Sequence, residues 1–265
     1  MSQMFQEIAP VTRRERVADN VHILRVRSHA IATTVRAGQF LNIRTEAGFD
    51  PLLRRAYSVH RVIGDELEII FNVVGKGSAI LAAMKPGDEL DIMGPLGVPF
   101  HIDGGFDNAI LVSGGVGIAP MPILGQALEA LGRPFVNIHG ARTSSMIVDD
   151  GRLANVRFAT DDGSLGLHGN VVTALERYLE EIPATRSRLF ACGPNPMLLA
   201  LGRFCQTRGL ALEVSLECQM ACGVGICQGC PVEMTSGERK YSLVCTQGPN
   251  YDFGDIVLES IPSVH

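Results

Sequence analysis

The sequence predicts a multidomain protein that combines a β domain with an α/β domain and a small C-terminal unit. Short alternating strands separated by turn residues fill the first third of the chain and indicate an antiparallel β-barrel. Strands then alternate with helices, which is typical of a parallel sheet. Cysteines accumulate near the C-terminus. We therefore expect three domains, over residues 1–103, 104–211 and 212–265.

The composition is that of a globular protein and argues against several partners. The 265 residues are 46% hydrophobic and 19% charged, with a formal net charge of -5. An acidic chain without a run of Lys or Arg is not expected to bind nucleic acid. The uncharged stretch 109–127 is nearly as long as a membrane span, but its glycines and prolines indicate a buried strand, a turn and a helix start. We expect no membrane partner.

The N-terminus and the cysteine content predict the compartment. Residues 1–17 contain no apolar region of the kind that a signal peptide needs. Seven cysteines in a chain of this size fit a reducing compartment better than a disulfide framework. We therefore expect a cytoplasmic protein.

An Arg-x-Tyr-Ser motif lies in one predicted strand of the barrel. Residues 54–59 read Arg-Arg-Ala-Tyr-Ser-Val, and the alternation places Arg55 and Tyr57 on one face. An Arg can bind a phosphate through charge-assisted hydrogen bonds, a Tyr can cover a flat ring, and Ser58 can hydrogen-bond a flavin ring atom. An ordinary edge strand with solvated arginines is the open alternative.

A glycine-rich turn follows the next strand. Residues 74–80 read Val-Gly-Lys-Gly-Ser-Ala-Ile, so a strand ends and a helix opens, with Ser78 as the expected N-cap. The free N–H groups at a helix N-terminus bind anions, which makes Gly75, Gly77 and Ser78 candidate phosphate contacts. A plain strand-to-helix turn is the alternative reading.

The parallel-sheet region contains a second glycine-rich turn, Gly114-Gly-Val-Gly-Ile-Ala-Pro. Pro120 stands at the expected first position of a helix. The turn is not the Rossmann fingerprint, because Pro120 replaces the third glycine and no acidic residue follows about twenty positions on. Ordinary NAD-dependent dehydrogenases are therefore disfavoured.

A further strand runs into Cys192-Gly-Pro-Asn-Pro-Met, where Cys192 invites two interpretations. A thiol at such a position can be a small buried apolar residue. Because Gly193 and Pro194 follow at a strand end, where parallel sheets bind ligands, we favour a role for Cys192 in positioning a hydride path. It need not act as a nucleophile.

The C-terminal cysteines have a diagnostic spacing. Cys222, Cys227 and Cys230 follow a C-x4-C-x2-C pattern, and Cys245 follows after fourteen more residues. Plant-type ferredoxins hold a 2Fe–2S cluster with this arrangement. Three glycines between the cysteines, at 223, 225 and 229, allow the loop to curl with positive φ. Structural zinc sites usually present two ligand pairs, so zinc is the weaker alternative. Cys218, four residues upstream, is left as a thiol outside the ligand set.

Taken in chain order, Arg-x-Tyr-Ser, Gly-Lys-Gly-Ser and the Gly-Pro-Leu-Gly of residues 94–97 resemble the FAD-binding domain of the ferredoxin–NADP reductase superfamily. With the cysteine loop added, the whole chain resembles the electron-transfer subunits of class B dihydroorotate dehydrogenases. The resemblance implies a six-stranded FAD-binding barrel, an α/β NAD-binding domain and a 2Fe–2S domain.

The resemblance also implies roles for individual residues. Arg55, Tyr57 and Ser58 would contact FAD, and Gly75, Gly77 and Ser78 would lie at its diphosphate. The dinucleotide site would be formed by the two turns, with contributions from Gly115, Gly117, Pro120, Cys192, Gly193, Pro194 and Met197. NADH is favoured over NADPH, since Asp161 and Asp162 would repel a 2′-phosphate if they line the adenosine end. Arg142 would attract one.

The implied function is an electron relay in pyrimidine biosynthesis. Electrons would pass between NAD(H), FAD and a 2Fe–2S cluster to an FMN-containing catalytic partner, which would act on dihydroorotate. A subunit of the same build that serves a sulfide dehydrogenase or a bifurcating transhydrogenase is one alternative. A cofactor-free structural or zinc-binding module is the other.

Overall fold

The computed structural model describes residues 3–149, 151–182 and 186–261. Six antiparallel strands close into a barrel in the order β1-β2-β5-β4-β3-β6, so the predicted barrel is confirmed. Its elements are β1 (Phe5–Ala18), β2 (Val21–Arg27), α1 (His29–Ala32), β3 (Phe40–Arg44), β4 (Arg55–Ile63), β5 (Glu66–Asn72), α2 (Lys76–Ala83) and β6 (Glu89–Leu96).

Strands and helices then alternate as predicted, and the strands form a parallel sheet in the order β10-β9-β8-β7-β11-β12. Strand β8 is buried along six of its seven residues, as expected for a central parallel strand. The elements are β7 (Asn108–Gly114), α3 (Met121–Ala130), β8 (Phe135–Ala141), β9 (Val156–Thr160), β10 (Leu167–His168), α4 (Val171–Glu181), β11 (Ser187–Cys192), α5 (Asn195–Arg208) and β12 (Ala211–Ser215).

The C-terminal segment forms a small sheet and also returns to the large one. Its elements are β13 (Pro231–Met234), β14 (Tyr241–Leu243), α6 (Val244–Gln247), β15 (Asn250–Asp252) and β16 (Ile256–Val257). Strands β14, β13 and β16 form a three-stranded sheet, whereas β15 pairs antiparallel with β12 as the seventh strand of the large sheet.

The second and third predicted domains share the large sheet. The boundary after residue 211 falls at the start of β12, whose five residues all pair with β11. Strand β15 lies beyond the cysteine loop in sequence but completes the same sheet. The domain limits at residues 103 and 211 stay predictions.

The barrel and the α/β unit are tied by apolar and ionic contacts. Phe100 meets Phe190 edge to face, with ring centroids 5.5 Å apart. Arg152, in the loop before β9, reaches Glu15 at 3.1 Å and the fully buried Glu68 at 3.3 Å. Among the residues that the structure describes, no helix is long and apolar enough to cross a membrane.

Candidate functional site

The Arg-x-Tyr-Ser motif lies at the start of β4, on the barrel wall. Arg54 is fixed by Asp91, with Nη2 2.6 Å from Oδ2, so it has a structural role. The Arg55 guanidinium donates to the Leu53 carbonyl and is half-buried. Tyr57 packs edge to face on Phe71, with 5.7 Å between the ring centroids, and burial raises its pKa to about 12. Tyr57 is therefore a neutral aromatic surface.

The glycine-rich turn forms the N-terminus of α2, but its capping differs from the prediction. Gly75, and not Ser78, is the N-cap. The Ser78 hydroxyl lies one turn inside the helix and accepts from the N–H groups of Val74 and Gly75, at 2.9 and 3.1 Å. This happens because the chain is still extended at Gly75, so that a serine three residues later can reach back.

The fold brings the two flavin motifs together. A Cβ on Gly77 would lie 2.7 Å from Arg55 Nε, so the missing side chain lets the guanidinium cross the first turn of α2. A cation thus lies beside a helix N-terminus, which is a favourable setting for a phosphate. Large exposed apolar side chains flank both motifs: Phe49, Leu52, Leu53 and Val74. A cofactor that joins a flat apolar ring to a diphosphate fits this set.

A cleft of about 430 Å³ opens at the carboxyl edge of the parallel sheet, where such sheets bind ligands. Both predicted turns contribute to it. Five of the residues predicted for the dinucleotide site line the cleft: Gly115, Gly117, Gly193, Pro194 and Met197. The structure therefore brings together two turns that are separated by more than seventy residues in the sequence.

Two predicted nucleotide-site residues lie behind the cleft lining. Pro120 is buried and is the N-cap of α3, so the helix begins at Met121, one residue later than predicted. Cys192 is 2% exposed, and its Sγ lies 3.8 Å from Glu217 Oε1. Burial and the nearby Glu217 carboxylate raise the Cys192 pKa well above its ordinary value. Cys192 is a neutral thiol, in agreement with a role other than nucleophile.

Two residues that line the cleft, Asn72 and Glu217, were not predicted from the sequence. Asn72 comes from the barrel, and Glu217 follows β12. Asp161 and Arg142, which follow β9 and β8, also line the cleft, so both charges weighed for the adenosine end are present. Except for Asn72, these residues follow the carboxyl ends of parallel strands. Because parallel sheets bind ligands at that edge, this position in the sequence could have identified them. Asp162 instead accepts from the backbone and hydroxyl of Ser164, at 3.0 and 2.6 Å.

The cysteine loop runs between β12 and β13, and Cys245 arrives on α6. The Val244 N–H donates to the Cys230 carbonyl at 2.9 Å, which joins the fourth cysteine to the loop. Backbone N–H groups point at two of the sulfurs. Cys222 Sγ accepts from Val224 and Cys227, at 3.5 and 3.4 Å, and Cys227 Sγ accepts from Gly229 at 3.4 Å.

The thiol environments of the predicted ligands differ, and two of the four thiols have a lowered pKa. Burial opposes ionisation of Cys222, but the backbone donors outweigh it and lower its pKa to about 7. A hydrogen bond from Cys218 lowers the pKa of Cys230 to about 5. Burial raises the pKa of Cys245 to about 12. Ligand sulfurs bind as thiolates, so N–H groups aimed at sulfur fit an anionic iron–sulfur centre.

The backbone of the loop corrects one expectation. Gly223 and Gly225 have positive φ values, 71° and 82°, but Gly229 does not. Gln228 takes the left-handed conformation instead, at φ 59°. Cys218 is half-buried beside Cys230, so it is a packed thiol next to the predicted ligands.

Within residues 3–149, 151–182 and 186–261, no three His, Cys, Asp or Glu side chains group so that they could hold one metal ion. A 2Fe–2S cluster distributes its four thiolates over two irons.

Two family models match this chain, one in its N-terminal part and one in its C-terminal part. The family model described as the oxidoreductase FAD-binding domain matches residues 8–101. The model described as the iron–sulfur cluster binding domain of dihydroorotate dehydrogenase B matches residues 217–257. These matches confirm the predicted FAD-binding and iron–sulfur units.

Relatives match along almost the whole length. The chain is 34% identical over 262 residues to the dihydroorotate dehydrogenase B (NAD(+)) electron transfer subunit of Geobacillus thermodenitrificans, covering 96% of this chain and 99% of the relative. It is 35% identical to the subunit of the same name from Desulforamulus reducens, covering 98% and 100%. A solved structure of the NADH-dependent reduced ferredoxin–NADP oxidoreductase, described for flavin-based electron bifurcation, superposes with a TM-score of 0.86 at 26% identity, covering 96% and 91%. The chain therefore belongs to the family of dihydroorotate dehydrogenase B electron transfer subunits.

Proposed function

We propose that this chain passes electrons from NADH, through FAD and a 2Fe–2S cluster, to an FMN-containing catalytic subunit that acts on dihydroorotate. When bound, FAD supplies two-electron hydride chemistry and the cluster supplies one-electron steps. Family membership supports the assignment. The seven free thiols agree with a cytoplasmic location.

One observation carries the proposal. The nucleotide cleft is lined on one side by Asn72, the last residue of β5. Strand β5 pairs with β4, which carries the Arg-x-Tyr-Ser motif. The cleft therefore opens beside the proposed flavin strand, so a nicotinamide in the cleft would lie near the ring that it reduces.

The cleft residues have distinct proposed tasks. Gly115 and Gly117 let a dinucleotide approach the backbone, and Pro120 fixes the start of α3 behind them. Gly193, Pro194 and Met197 form the opposite wall beside the nicotinamide. Behind that wall, the buried Cys192 thiol contacts the Glu217 carboxylate, and this contact would help to fix the turn. Asn72 Oδ1, which is buried without a partner in the described chain, can accept from a ligand amide.

The barrel residues hold the flavin in this proposal. Arg55 neutralises the diphosphate together with the N-terminus of α2, at Gly75, Gly77 and Ser78. Tyr57 and Ser58 contact the ring system. An Arg-to-phosphate contact contributes about 1.5–3 kcal/mol, so Arg55→Ala should weaken FAD retention measurably on gel filtration.

The proposed cluster ligands are Cys222, Cys227, Cys230 and Cys245. Cys227 and the 82% exposed Ile226 place part of this loop on the protein surface. An exposed loop beside the last electron carrier suits transfer to another subunit.

The test uses the purified chain and its partner. Alone, the chain should bleach its flavin with NADH and reduce a one-electron dye, without converting dihydroorotate. Adding the FMN-bearing dehydrogenase should couple NADH to orotate. Cys222→Ser should remove iron and abolish this coupling while NADH still reduces FAD. Cys205→Ala, which alters a buried thiol in α5, is the matched control and should retain coupling.

Two results would contradict the assignment. Loss of the cluster in Cys218→Ser but not in Cys222→Ser would overturn the ligand set. Coupling that survives loss of the cluster would show that electrons bypass it.

The bifurcating type of reductase is the second candidate, because the high TM-score extends over nearly the whole of both chains. A dihydroorotate dehydrogenase that gives no coupling, while a large second flavoprotein does, would transfer the assignment to that type. The relay within this chain would be unchanged.

A further inference from the structure

We propose that Asn42 is a positioning residue that fixes the cluster loop against the flavin strand; this inference rests on the proposed function. Asn42 lies in β3 of the barrel and is 1% exposed. Its Nδ2 donates to the backbone carbonyl of Cys222 at 2.8 Å. The bond joins residues 180 positions apart and attaches the first proposed cluster ligand directly to the barrel wall.

The register of the sheet places this contact beside the flavin motif. Asn42 pairs with Ala56, the residue between Arg55 and Tyr57. Neighbouring strands are separated by about 4.8 Å. Ala56 also packs against the apolar cluster that contains Cys230 and Cys245. Asn42 therefore links the strand that pairs with the flavin motif directly to the cysteine loop.

The loop backbone is shaped around this side chain. A Cβ on Gly223 would overlap Asn42 Nδ2, and Gly223 has φ +71°. The side-chain oxygen of Asn42, Oδ1, is buried without a partner among the described residues, so only the donor half of its amide is satisfied. Arg54 Nη1 donates to the Asn42 backbone carbonyl at 3.3 Å and steadies the strand from the other side.

The proposed cluster ligands and the Asn42–Cys222 hydrogen bond, here called the clamp, would have different tasks. The cysteines would hold the cluster, whereas Asn42 would set where the loop stands relative to the flavin. Electron transfer between two carriers slows steeply as their separation grows. Loosening the clamp should thus slow the flavin-to-cluster step without changing how NADH reduces the flavin.

The test compares Asn42→Asp with Asn137→Asp in the cofactor-loaded chain. The Asp side chain keeps the shape of Asn, but its oxygen cannot donate to the Cys222 carbonyl. Asn137 is a matched control, since it is 2% exposed, donates to a backbone carbonyl at 2.7 Å and also has an unpartnered Oδ1. It lies in β8, away from the cysteine loop.

Two readouts are expected to change only in Asn42→Asp. After rapid mixing with NADH, flavin bleaching should keep its rate, whereas cluster reduction, followed by electron paramagnetic resonance of frozen samples, should be slower than in the parent chain. Deuterium exchange of the peptide covering residues 219–230 should increase, and the cluster's reduction potential should stay as in the parent. If Asn42→Asp lowers the iron content, Asn42→Leu, which removes the donor without adding charge, takes its place.

Cluster reduction that keeps pace with flavin bleaching in both variants would overturn the positioning role. Equal slowing in Asn137→Asp would do the same, because the effect would then be general destabilisation. Failure of the parent chain to bleach its flavin with NADH would instead overturn the proposed function, so the two failures are distinguishable.

Discussion

Asp161 and Asp162 are neighbours in sequence, but their carboxylates face different surroundings. Asp161 lines the proposed nucleotide cleft, and so does the oppositely charged Arg142. Asp162 is held within its own turn by Ser164, and those hydrogen bonds lower its pKa. Only the first aspartate is therefore placed to influence which dinucleotide binds.

We predict that Asp161→Asn shifts the preference from NADH toward NADPH. The substitution removes a negative charge that would repel the 2′-phosphate, and kcat/KM for NADPH relative to NADH should rise by roughly tenfold. Flavin bleaching with each nucleotide measures the ratio. Asp162→Asn is the control, and an equal shift in that variant would contradict the assignment.

His139 is a buried polar group that the proposed chemistry does not use. It is fully buried in β8, its Nδ1 lies 2.9 Å from the Ser113 hydroxyl, and its Nε2 has no partner among the described residues. Burial lowers its pKa to about 4 from an ordinary 6.5. The folded chain therefore holds His139 neutral at pH values where the unfolded chain protonates it.

This difference predicts an acid-sensitive component of stability. Because the folded pKa is depressed, stability is present above pH 6.5 and is lost as pH falls toward 4. About 1 kcal/mol should disappear between pH 7 and pH 5.5. Urea unfolding at both values measures it. His139→Gln should flatten this slope, whereas the exposed His168→Gln should not; equal slopes in all three proteins would contradict the cause.

At the scale of elements, the loop before β9 connects the α/β unit to the barrel through Arg152. Glu68 is fully buried and pairs with both Arg152 and Arg25, the latter at 2.7 Å. Burial favours the neutral acid, but the hydrogen bonds from Arg25 and the charge of Arg152 outweigh it and lower the Glu68 pKa. Glu68 is therefore a buried carboxylate that depends on both arginines.

We predict that Arg152→Met destabilises the chain by about 2 kcal/mol. Breaking a buried pair typically costs about 3–5 kcal/mol, and the remaining Arg25 reduces the loss here. Arg203→Met, which removes an exposed 4.0 Å pair with Glu259, should cost less than about 1 kcal/mol. Urea unfolding of both variants checks the difference, and equal losses would refute a special role for this contact.

The sequence predicted elements better than it predicted how they meet. Helix α4 (Val171–Glu181) is an element that a sequence can indicate, because its apolar periodicity and its Asn170 cap are local signals. The approach of Arg55 to Gly77 is a tertiary contact between the start of β4 and the first turn of α2, and it leaves no local pattern. Glu217 was missed for a related reason, since a single acid after a strand carries no motif. Strand β15 pairs with β12 although the cysteine loop separates them in sequence, and no local pattern predicts that pairing either.

At the scale of the whole molecule, the segment after the cysteines secures all three units. Asn250 Nδ2 donates to the carbonyls of Gly38 and Val98, at 3.1 and 2.7 Å. The Val98 N–H donates to the Gly248 carbonyl at 2.6 Å, and β15 pairs with β12. The barrel, the large sheet and the cysteine segment therefore meet at residues 248–252.

We predict that truncation after Pro249 abolishes cluster retention although all four proposed ligands remain. The truncated chain lacks β15 and β16, so the three-stranded sheet and the edge of the large sheet are both incomplete. Iron and acid-labile sulfide should fall well below those of the full chain. Retention of the full iron content would show that the loop holds the cluster independently of this segment.

The pairing of β15 with β12 limits how the cysteine loop can be moved between proteins. A ferredoxin-like piece joined by a tether could be exchanged between reductases, or could swing between donor and acceptor. Here the polypeptide leaves the sheet at β12, forms the cysteine loop and comes back to the same sheet at β15. Both ends of the loop are anchored in one scaffold, so transplanting it would require an edge strand to travel with it. If the loop holds the cluster as proposed, an electron acceptor would have to dock onto the loop where the sheet holds it.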